Sequence, residues 1–319
     1  MKHNWKISSI LIAMFIVTQL IGITIISVYS NPTKQITNYE GETVNVTLPY
    51  GLDPPKDTSP KINLISIIVA IFIAVSVMLI LMNLKSDVFI VILRTWFFVV
   101  VIIALAITFY AALISIDNPI IVKYASSSAL VISFVIAFFK VFKRNIIVHN
   151  ISELMIYPGI SVIFVPLLNI WTMALLLIVI SIYDIYAVWH AGFMQKMAKY
   201  QISKVRVFSG FFVTYLGRKE KELVSKYNNM KSKTDSKLKN KKIKINIAML
   251  GGGDVVFPLI LTGVVLRAFG LFEALIISAG ATIALGILFY TSEKGKFYPA
   301  MPFISAGCFV ALGLIYLIN

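Results

Sequence analysis

Two aspartates lie within apolar sequence and are the residues best suited to chemistry. Asp254 directly follows a triplet of glycines, and Asp184 lies between two tyrosine-containing segments near the end of another apolar run. A charged side chain at bilayer depth is costly, so it indicates a functional site with a partner. Two carboxylates brought close at low dielectric cannot both ionise, so the pair holds a single proton. Such a pair can hydrolyse an amide: the ionised member takes a proton from water, and the protonated member hydrogen-bonds the carbonyl oxygen.

The composition around these aspartates is that of a polytopic membrane protein. Of 319 residues, 59% are hydrophobic and 13% are charged, and the mean hydropathy is +0.88. A soluble domain of this length is much less apolar. Cys308 is the single cysteine and the three histidines lie far apart in the sequence. We therefore expect neither a metal site nor a cofactor.

Nine apolar runs are long enough to cross roughly 30 Å of hydrocarbon, which takes about 20 helical residues each. The predicted fold class is therefore all-α, with nine transmembrane helices. The fifth run contains Glu153 and Pro158, which favour a short, kinked or partly interfacial helix. The runs are approximately 7–28, 64–84, 89–114, 120–139, 146–164, 168–189, 247–269, 271–290 and 301–317.

The runs divide the chain into three parts. Residues 1–190 hold six helices and an extracytoplasmic loop at 30–61, with a short strand expected at Thr43–Leu48. Residues 191–246 form a basic loop, expected to be a partly disordered, solvated linker. Residues 247–319 hold the last three helices.

The basic loop contains segments with strand-like patterns at both of its ends. Lys242–Ile247 alternates polar and apolar residues, which predicts a short strand, and 205–208 or 211–215 is a candidate partner. An exposed strand edge binds an extended peptide by main-chain hydrogen bonds. The sequence therefore predicts a hairpin beside Asp254 with an edge suited to binding an extended peptide.

Lysine and arginine are distributed unevenly over the loops. In the nine-helix topology, 24 of the 29 basic residues fall on one side. We expect a multi-pass protein of the cell membrane. The positive-inside rule then places the N-terminus and the 191–246 loop in the cytoplasm and the C-terminus on the extracytoplasmic side. The net charge of +15 is thus an orientation signal, and we expect no nucleic-acid partner.

The predicted topology brings the two aspartates to a common depth. Asp184 lies near the cytoplasmic end of the sixth run and Asp254 near the start of the seventh, so both are about 8–11 Å from one surface at 1.5 Å per residue. Gly251, three residues before Asp254, is predicted on the same helical face, leaving room for a neighbouring helix or an extended peptide.

A third segment precedes the ninth run. Pro299-Ala300-Met301-Pro302 disfavours a regular helix start and leaves backbone groups unpaired. Such backbone is tolerated at membrane depth where it is buried in protein or lines a cavity.

These three segments together resemble the presenilin/signal peptide peptidase family of GxGD intramembrane aspartyl proteases. The resemblance implies a presenilin-like fold, Asp184 and Asp254 as the catalytic pair, and an archaeal or other microbial homologue. It also implies supporting roles in the active site for Tyr183, Gly251, Gly253, Pro299, Ala300 and Met301. This sequence has Met301 where the family usually has leucine, and Gly252 where an apolar residue is common. We expect an altered substrate preference rather than loss of activity.

The expected function is hydrolysis, by the aspartate pair and a water, of peptide bonds inside single-span membrane proteins or remnant signal peptides. The expected partners are these substrates and the lipid bilayer, and the oligomeric state is left open. One alternative is a proton- or cation-coupled transporter or channel that uses the same aspartates. Another is a prepilin-peptidase-like protease, a class with fewer spans.

Overall fold

The structure, a computed structural model, describes most of the membrane region and part of the long loop. The described residues are 5–30, 35–37, 43–52, 59–83, 87–116, 118–143, 145–190, 209–216, 245–292 and 298–318. The basic tract, the segment 205–208 and the start of the predicted strand at Lys242–Lys244 lie outside these residues.

Nine long helices form within the described residues, which confirms the all-α polytopic fold class. Eight of them contain an apolar segment of 18 to 25 residues that is long enough to span a membrane. The seventh has 17 residues, and the sixth reaches its 20-residue span only together with the π-helical turn that follows its 16 α-helical residues. The helices are α1 Trp5–Ser30, α2 Pro60–Asn83, α3 Asp87–Ile114, α4 Pro119–Phe142, α5 Ile146–Phe164, α6 Ile170–Ile185, α7 Gly252–Ala268, α8 Leu271–Thr291 and α9 Met301–Ile318.

The seventh helix begins later than the sequence pattern predicted. The expected span started at Ile247, whereas α7 starts at Gly252 and the preceding residues belong to a strand. Glycine is a poor helix former, and residues before the triplet satisfy their backbone groups by pairing with another strand. The predicted helical position of Gly251 is therefore wrong, because Gly251 ends that strand.

The long loop contributes an antiparallel hairpin beside the membrane helices. Strand β3, Gly210–Leu216, pairs with β4, Ile245–Gly251, in a register that sets Gly210 opposite Gly251. The predicted pairing with segment 211–215 is confirmed, and β4 extends beyond the predicted strand as far as the glycines. A smaller hairpin joins β1, Gln35–Thr37, to β2, Thr43–Asn45, which is shorter than the predicted Thr43–Leu48 strand.

Helix α5 lies at the centre of the packing around the hairpin. It contacts α1, α3, α4, α7 and β3. It occupies the predicted residues 146–164, and Glu153 is fully buried within protein. The helix is therefore not short: with the turn that follows it, its apolar span has 22 residues, and Glu153 has a buried cationic partner, described below.

Helix α2 lies at the edge of the bundle and packs chiefly on α6. Few of its residues are buried, and apolar side chains such as Ile65 and Ile73 are exposed. An apolar surface of this kind suits contact with lipid. The boundary between α2 and α6, which leads toward Asp184, is consequently loosely packed.

Candidate active site

Asp184 lies at the end of the regular part of α6. Helix α6 starts at a capping box formed by Asn169 and Thr172, and its α-helical hydrogen bonding ends at Ile185. A π-helical turn, Tyr186–His190, follows immediately. Turns of this type are frequent at functional sites. The Asp184 side chain is buried, with 4% of the residue exposed.

The segment before α9 supplies a hydrogen bond to Asp184. The backbone N–H of Met301 donates to Asp184 Oδ2 at 3.1 Å, and the backbone of Ala300 also lies against this carboxylate. The carbonyl of Ala300 accepts from the N–H of Ile304, so the helix starts here. The N–H of Met301 is one of the groups that a helix start leaves unpaired, and Asp184 satisfies it.

Asp254 lies in the first turn of α7, immediately after β4. Gly251 is the N-cap residue, with extended backbone angles of φ −63° and ψ 145°. The Asp254 carboxylate turns back toward the backbone of Gly251 and interacts electrostatically with Asp184. Each aspartate therefore faces a helix N-terminus, Asp184 that of α9 and Asp254 its own. The positive ends of two helix dipoles favour a negative charge held between the carboxylates.

The three glycines have different surroundings. A Cβ atom on Gly251 would lie 3.1 Å from Asp254 Oδ2, and one on Gly252 would lie 2.6 Å from Ser209 Oγ and 3.0 Å from the Tyr157 hydroxyl. A Cβ on Gly253 would meet Phe257 at 3.5 Å, an ordinary contact. A side chain at position 251 would therefore press on the Asp254 carboxylate, one at position 252 would displace Ser209 or Tyr157, and one at position 253 would displace nothing.

The remaining predicted residues surround the pair. Pro299 and Met301 are buried, and Ala300 is partly buried. Tyr183, half-buried, lines an apolar cavity of about 120 Å³ together with Phe257 of α7 and side chains from α2 and α6. The structure thus gathers all the predicted site residues around the same end of α6, α7 and α9.

Sequence reasoning missed a set of polar residues on α1, α4 and α5. Lys140, His149, Asn150 and Glu153 connect α4 and α5 to β3. Gln19 of α1 is buried and donates to the carbonyl of Val255, one residue after Asp254. Their signal in the sequence was the presence of polar residues inside apolar runs, but the contacts join segments distant in sequence.

The described residues contain no group of three histidine, cysteine, aspartate or glutamate side chains placed to hold a metal ion. The chemistry that this geometry provides is that of two coupled carboxylates beside an apolar cavity. Such a pair supplies one base and one acid to a bound water and a carbonyl group.

Comparisons with known proteins agree with this description. The profile of a family described as signal-peptide peptidase, presenilin aspartyl protease matches residues 51–318. A presenilin family intramembrane aspartate protease, solved in space group C222, is similar with a TM-score of 0.58 at 15% identity, covering 98% of both chains. The structure in space group P2 gives a TM-score of 0.59 at 15% identity, covering 97% of both chains. A search of curated proteins found no match.

The fold, the two coupled carboxylates and the family match together define an intramembrane aspartate protease. The chain belongs to the signal-peptide peptidase/presenilin aspartyl protease family, and it is a multi-pass membrane protein. This membership favours the protease over the transporter or channel that the sequence left open.

Proposed function

We propose that this protein is an endopeptidase that cuts transmembrane segments of single-span proteins or remnant signal peptides, with Asp184 and Asp254 as the catalytic pair. One observation carries the proposal: the carboxylates of α6 and α7 interact where the N–H of Met301 binds Asp184. Asp184 and Asp254 are far apart in the sequence, and no packing requirement of an apolar bundle explains two carboxylates at one point.

The chemistry follows from the shared proton. The ionised aspartate accepts a proton from water as the water oxygen bonds to the scissile carbonyl carbon. The protonated aspartate donates a hydrogen bond, and then its proton, to the carbonyl oxygen, which gives a neutral tetrahedral diol. The diol collapses as the C–N bond breaks: the nitrogen gains the proton that the pair holds, and one diol hydroxyl returns its proton to the other carboxylate as the C=O bond re-forms. A carboxyl and an amine product leave, and the pair again holds one proton.

The apolar cavity between α2, α6 and α7 offers a route from lipid to the pair. Tyr183 and Phe257 line it on the side of the aspartates, and α2 closes it on the outer side. Because α2 has few packing partners among the described residues, its displacement costs little. A transmembrane substrate therefore reaches the carboxylates laterally, without leaving the membrane.

A helical substrate must be unwound before it is cut, and its freed backbone groups then need partners. The hairpin has one edge suited to this. On β3, the carbonyl of Gly210 and both backbone groups of Phe212 bind side chains of α5. In an antiparallel pair, alternate residues direct both backbone groups away from the partner strand. Met249, opposite Phe212, therefore directs its backbone groups to the outer edge of β4, and by the same alternation so does Ile247, opposite Thr214.

The outer edge of β4 leads straight into the turn that carries Asp254. Among the described strands, β4 pairs with β3 alone, so this edge is available to an extended substrate. The edge aligns the substrate backbone with the carboxylate pair by β-strand addition. Pro299 and Ala300 border the opposite side, and Gly251 itself places no side chain beside the Asp254 carboxylate.

The basic residues give the orientation that we propose. The excess of lysine and arginine in alternate loops places the N-terminus and the 191–246 loop in the cytoplasm and the C-terminus outside. The pair then lies near the cytoplasmic side, where water reaches it over a short distance.

Purified protein incubated with a panel of transmembrane peptides, tagged at both ends, tests the proposal. Mass spectrometry of the products should locate the cuts within the apolar segments. Matched soluble peptides that lack an apolar segment should be cut poorly. An absence of cutting across the panel, or cuts confined to the flanking polar residues, would contradict the proposed activity.

A further inference from the structure

A buried ionic cluster lies on α4 and α5, outside the carboxylate pair. Lys140 Nζ donates to Glu153 Oε1 at 2.5 Å, with 1% and 0% of the two side chains exposed. His149 lies between this ion pair and the hairpin, with its Nδ1 3.3 Å from Lys140 Nζ. Charged groups inside a membrane protein are costly, and an ion pair of this kind adds little stability relative to apolar side chains. Packing alone does not account for it.

The hydrogen bonds define the tautomer of His149. Its Nε2 is 2.8 Å from the carbonyl oxygen of Gly210, which is an acceptor only, so Nε2 carries the proton. In the neutral ring Nδ1 is then an acceptor, and the Lys140 ammonium donates to it. Glu153 holds Lys140 in place. The ion pair therefore directs the N–H of His149 at the first residue of β3.

Asn150 extends the same contact along the strand. Its amide donates to the carbonyl of Phe212 at 2.8 Å and accepts from the N–H of Phe212 at 3.0 Å. The ring of His149 also packs on the ring of Phe212, with centroids 4.9 Å apart. Two adjacent residues of α5 thus pair with the outer edge of β3 as another strand would.

The fixed end of β3 is the part of the hairpin nearest to Asp254. Gly210 is opposite Gly251 in the register, and the N–H of Gly252 donates to the carbonyl of Ser209 at 3.3 Å. Gly251 in turn lies against the Asp254 carboxylate. A continuous series of contacts therefore runs from Lys140 and Glu153 through His149 and Gly210 to the turn before Asp254.

We propose that the Lys140–Glu153–His149 cluster, with Asn150, positions the hairpin so that the Asp254 carboxylate is aligned for catalysis. This inference rests on the proposed function, since it assigns Asp254 to the reaction. His149 is a positioning residue, because it acts through the backbone of the hairpin. Its loss should slow the chemical step without weakening substrate binding to the apolar cavity, which is lined by α2, α6 and Phe257 and by no residue of α5 or the hairpin.

Two matched substitutions separate the hydrogen bond from the ring. His149→Phe keeps an aromatic ring against Phe212 and removes the donor to Gly210. His149→Gln keeps a donor near the position of Nε2 and removes the ring. A misplacement of about 1 Å at a reacting group can cost about 100-fold in rate. We therefore expect His149→Phe to lower kcat about 10-fold or more, with KM within about 2-fold of wild type.

The experiment measures kcat, KM and thermal unfolding of the purified full-length variants on one transmembrane peptide. His149→Gln should recover most of the kcat that His149→Phe loses, while both melt near the wild-type temperature. Equal kcat for His149→Phe and wild type would overturn the inference. An equal loss of kcat in both variants, accompanied by a lower melting temperature in both, would also overturn it, since that pattern indicates a structural role alone.

Further variants keep the outcome decisive. If His149→Phe does not fold, Asn150→Leu is the substitute variant, because it removes the bonds to Phe212 and leaves the ion pair intact. It should lower kcat with KM unchanged. A wild-type kcat would overturn the inference.

Asp184→Asn and Asp254→Asn are measured alongside. If either aspartate variant remains active, the proposed function fails; if both are inactive and the α5 variants match wild type, the positioning role alone fails.

Discussion

The glycines before Asp254 show how one carboxylate is kept accessible in a tightly packed protein. Gly251 leaves the space beside Asp254 Oδ2 empty of side-chain atoms, and Gly252 accommodates Tyr157 and Ser209. Gly253 has no such neighbour. The sequence indicated that the triplet mattered, but glycine spacing alone does not distinguish a glycine that a neighbour requires from one that it does not.

Substitution of alanine at positions 251 and 253 tests this difference. Gly251→Ala brings a methyl group to 3.1 Å from Asp254 Oδ2, so the carboxylate must shift, and we expect the cleavage rate to fall about 10-fold or more. Gly253→Ala adds an ordinary contact and removes a flexible residue from a helix, so activity should stay within about 3-fold of wild type. Similar rates for the two variants would show that the packing around Gly251 does not control the carboxylate.

Ala300 tests the segment before α9. Ala300→Leu keeps the backbone that receives Asp184 but adds bulk beside it, and it should reduce cleavage much more than it reduces the melting temperature. Ala306→Leu, at an exposed position within α9, is the matched control. It should change neither the cleavage rate nor the melting temperature. If Ala300→Leu lowers activity and stability in parallel, the segment is a packing element.

At the scale of elements, the hairpin connects the long loop to the catalytic turn. Its two edges differ, because α5 side chains occupy the edge of β3, whereas no other strand among the described residues pairs with the edge of β4. The alternation in Lys242–Ile247 predicted the strand, and its pairing partner was among the two candidates. The extension of β4 to Gly251 was not predicted, because residues 247–250 are apolar and equally typical of a helix start.

Two proline substitutions distinguish the edges of β4. Ile247→Pro removes an N–H from the outer edge and leaves the bonds to β3, so it should slow cleavage of helical substrates about 10-fold and spare short peptides that need no unwinding. Ile245→Pro lies on the same edge and should act similarly. Ala248→Pro removes an N–H that faces β3 and should impair both substrate types. If Ile247→Pro cuts both substrates at the wild-type rate, the strand does not bind substrate.

At the scale of the whole molecule, the hydropathy of the sequence predicted how many helices form, but it did not predict which of them contact each other. Eight of the nine predicted spans correspond to helices that pass length and hydropathy criteria. In the fifth span, Glu153 is unfavourable by sequence alone, whereas in the fold Lys140, 13 residues away, lies beside it. The proximity of the two aspartates could be predicted from their similar distance to one membrane surface. The contacts of α5 with β3 could not, because they depend on tertiary packing across the 191–246 loop.

The most direct test of the account is the rate of peptide cleavage by Asp184→Asn and Asp254→Asn, measured by mass spectrometry on one transmembrane peptide. Asparagine is nearly isosteric with aspartate but can neither accept the water proton nor supply a proton to the carbonyl oxygen. Glu273→Gln, which changes a carboxylate in the first turn of α8, is the matched control. Both aspartate variants should be folded but inactive, and the control should have normal activity. More than a few per cent of wild-type cleavage by either aspartate variant would contradict it.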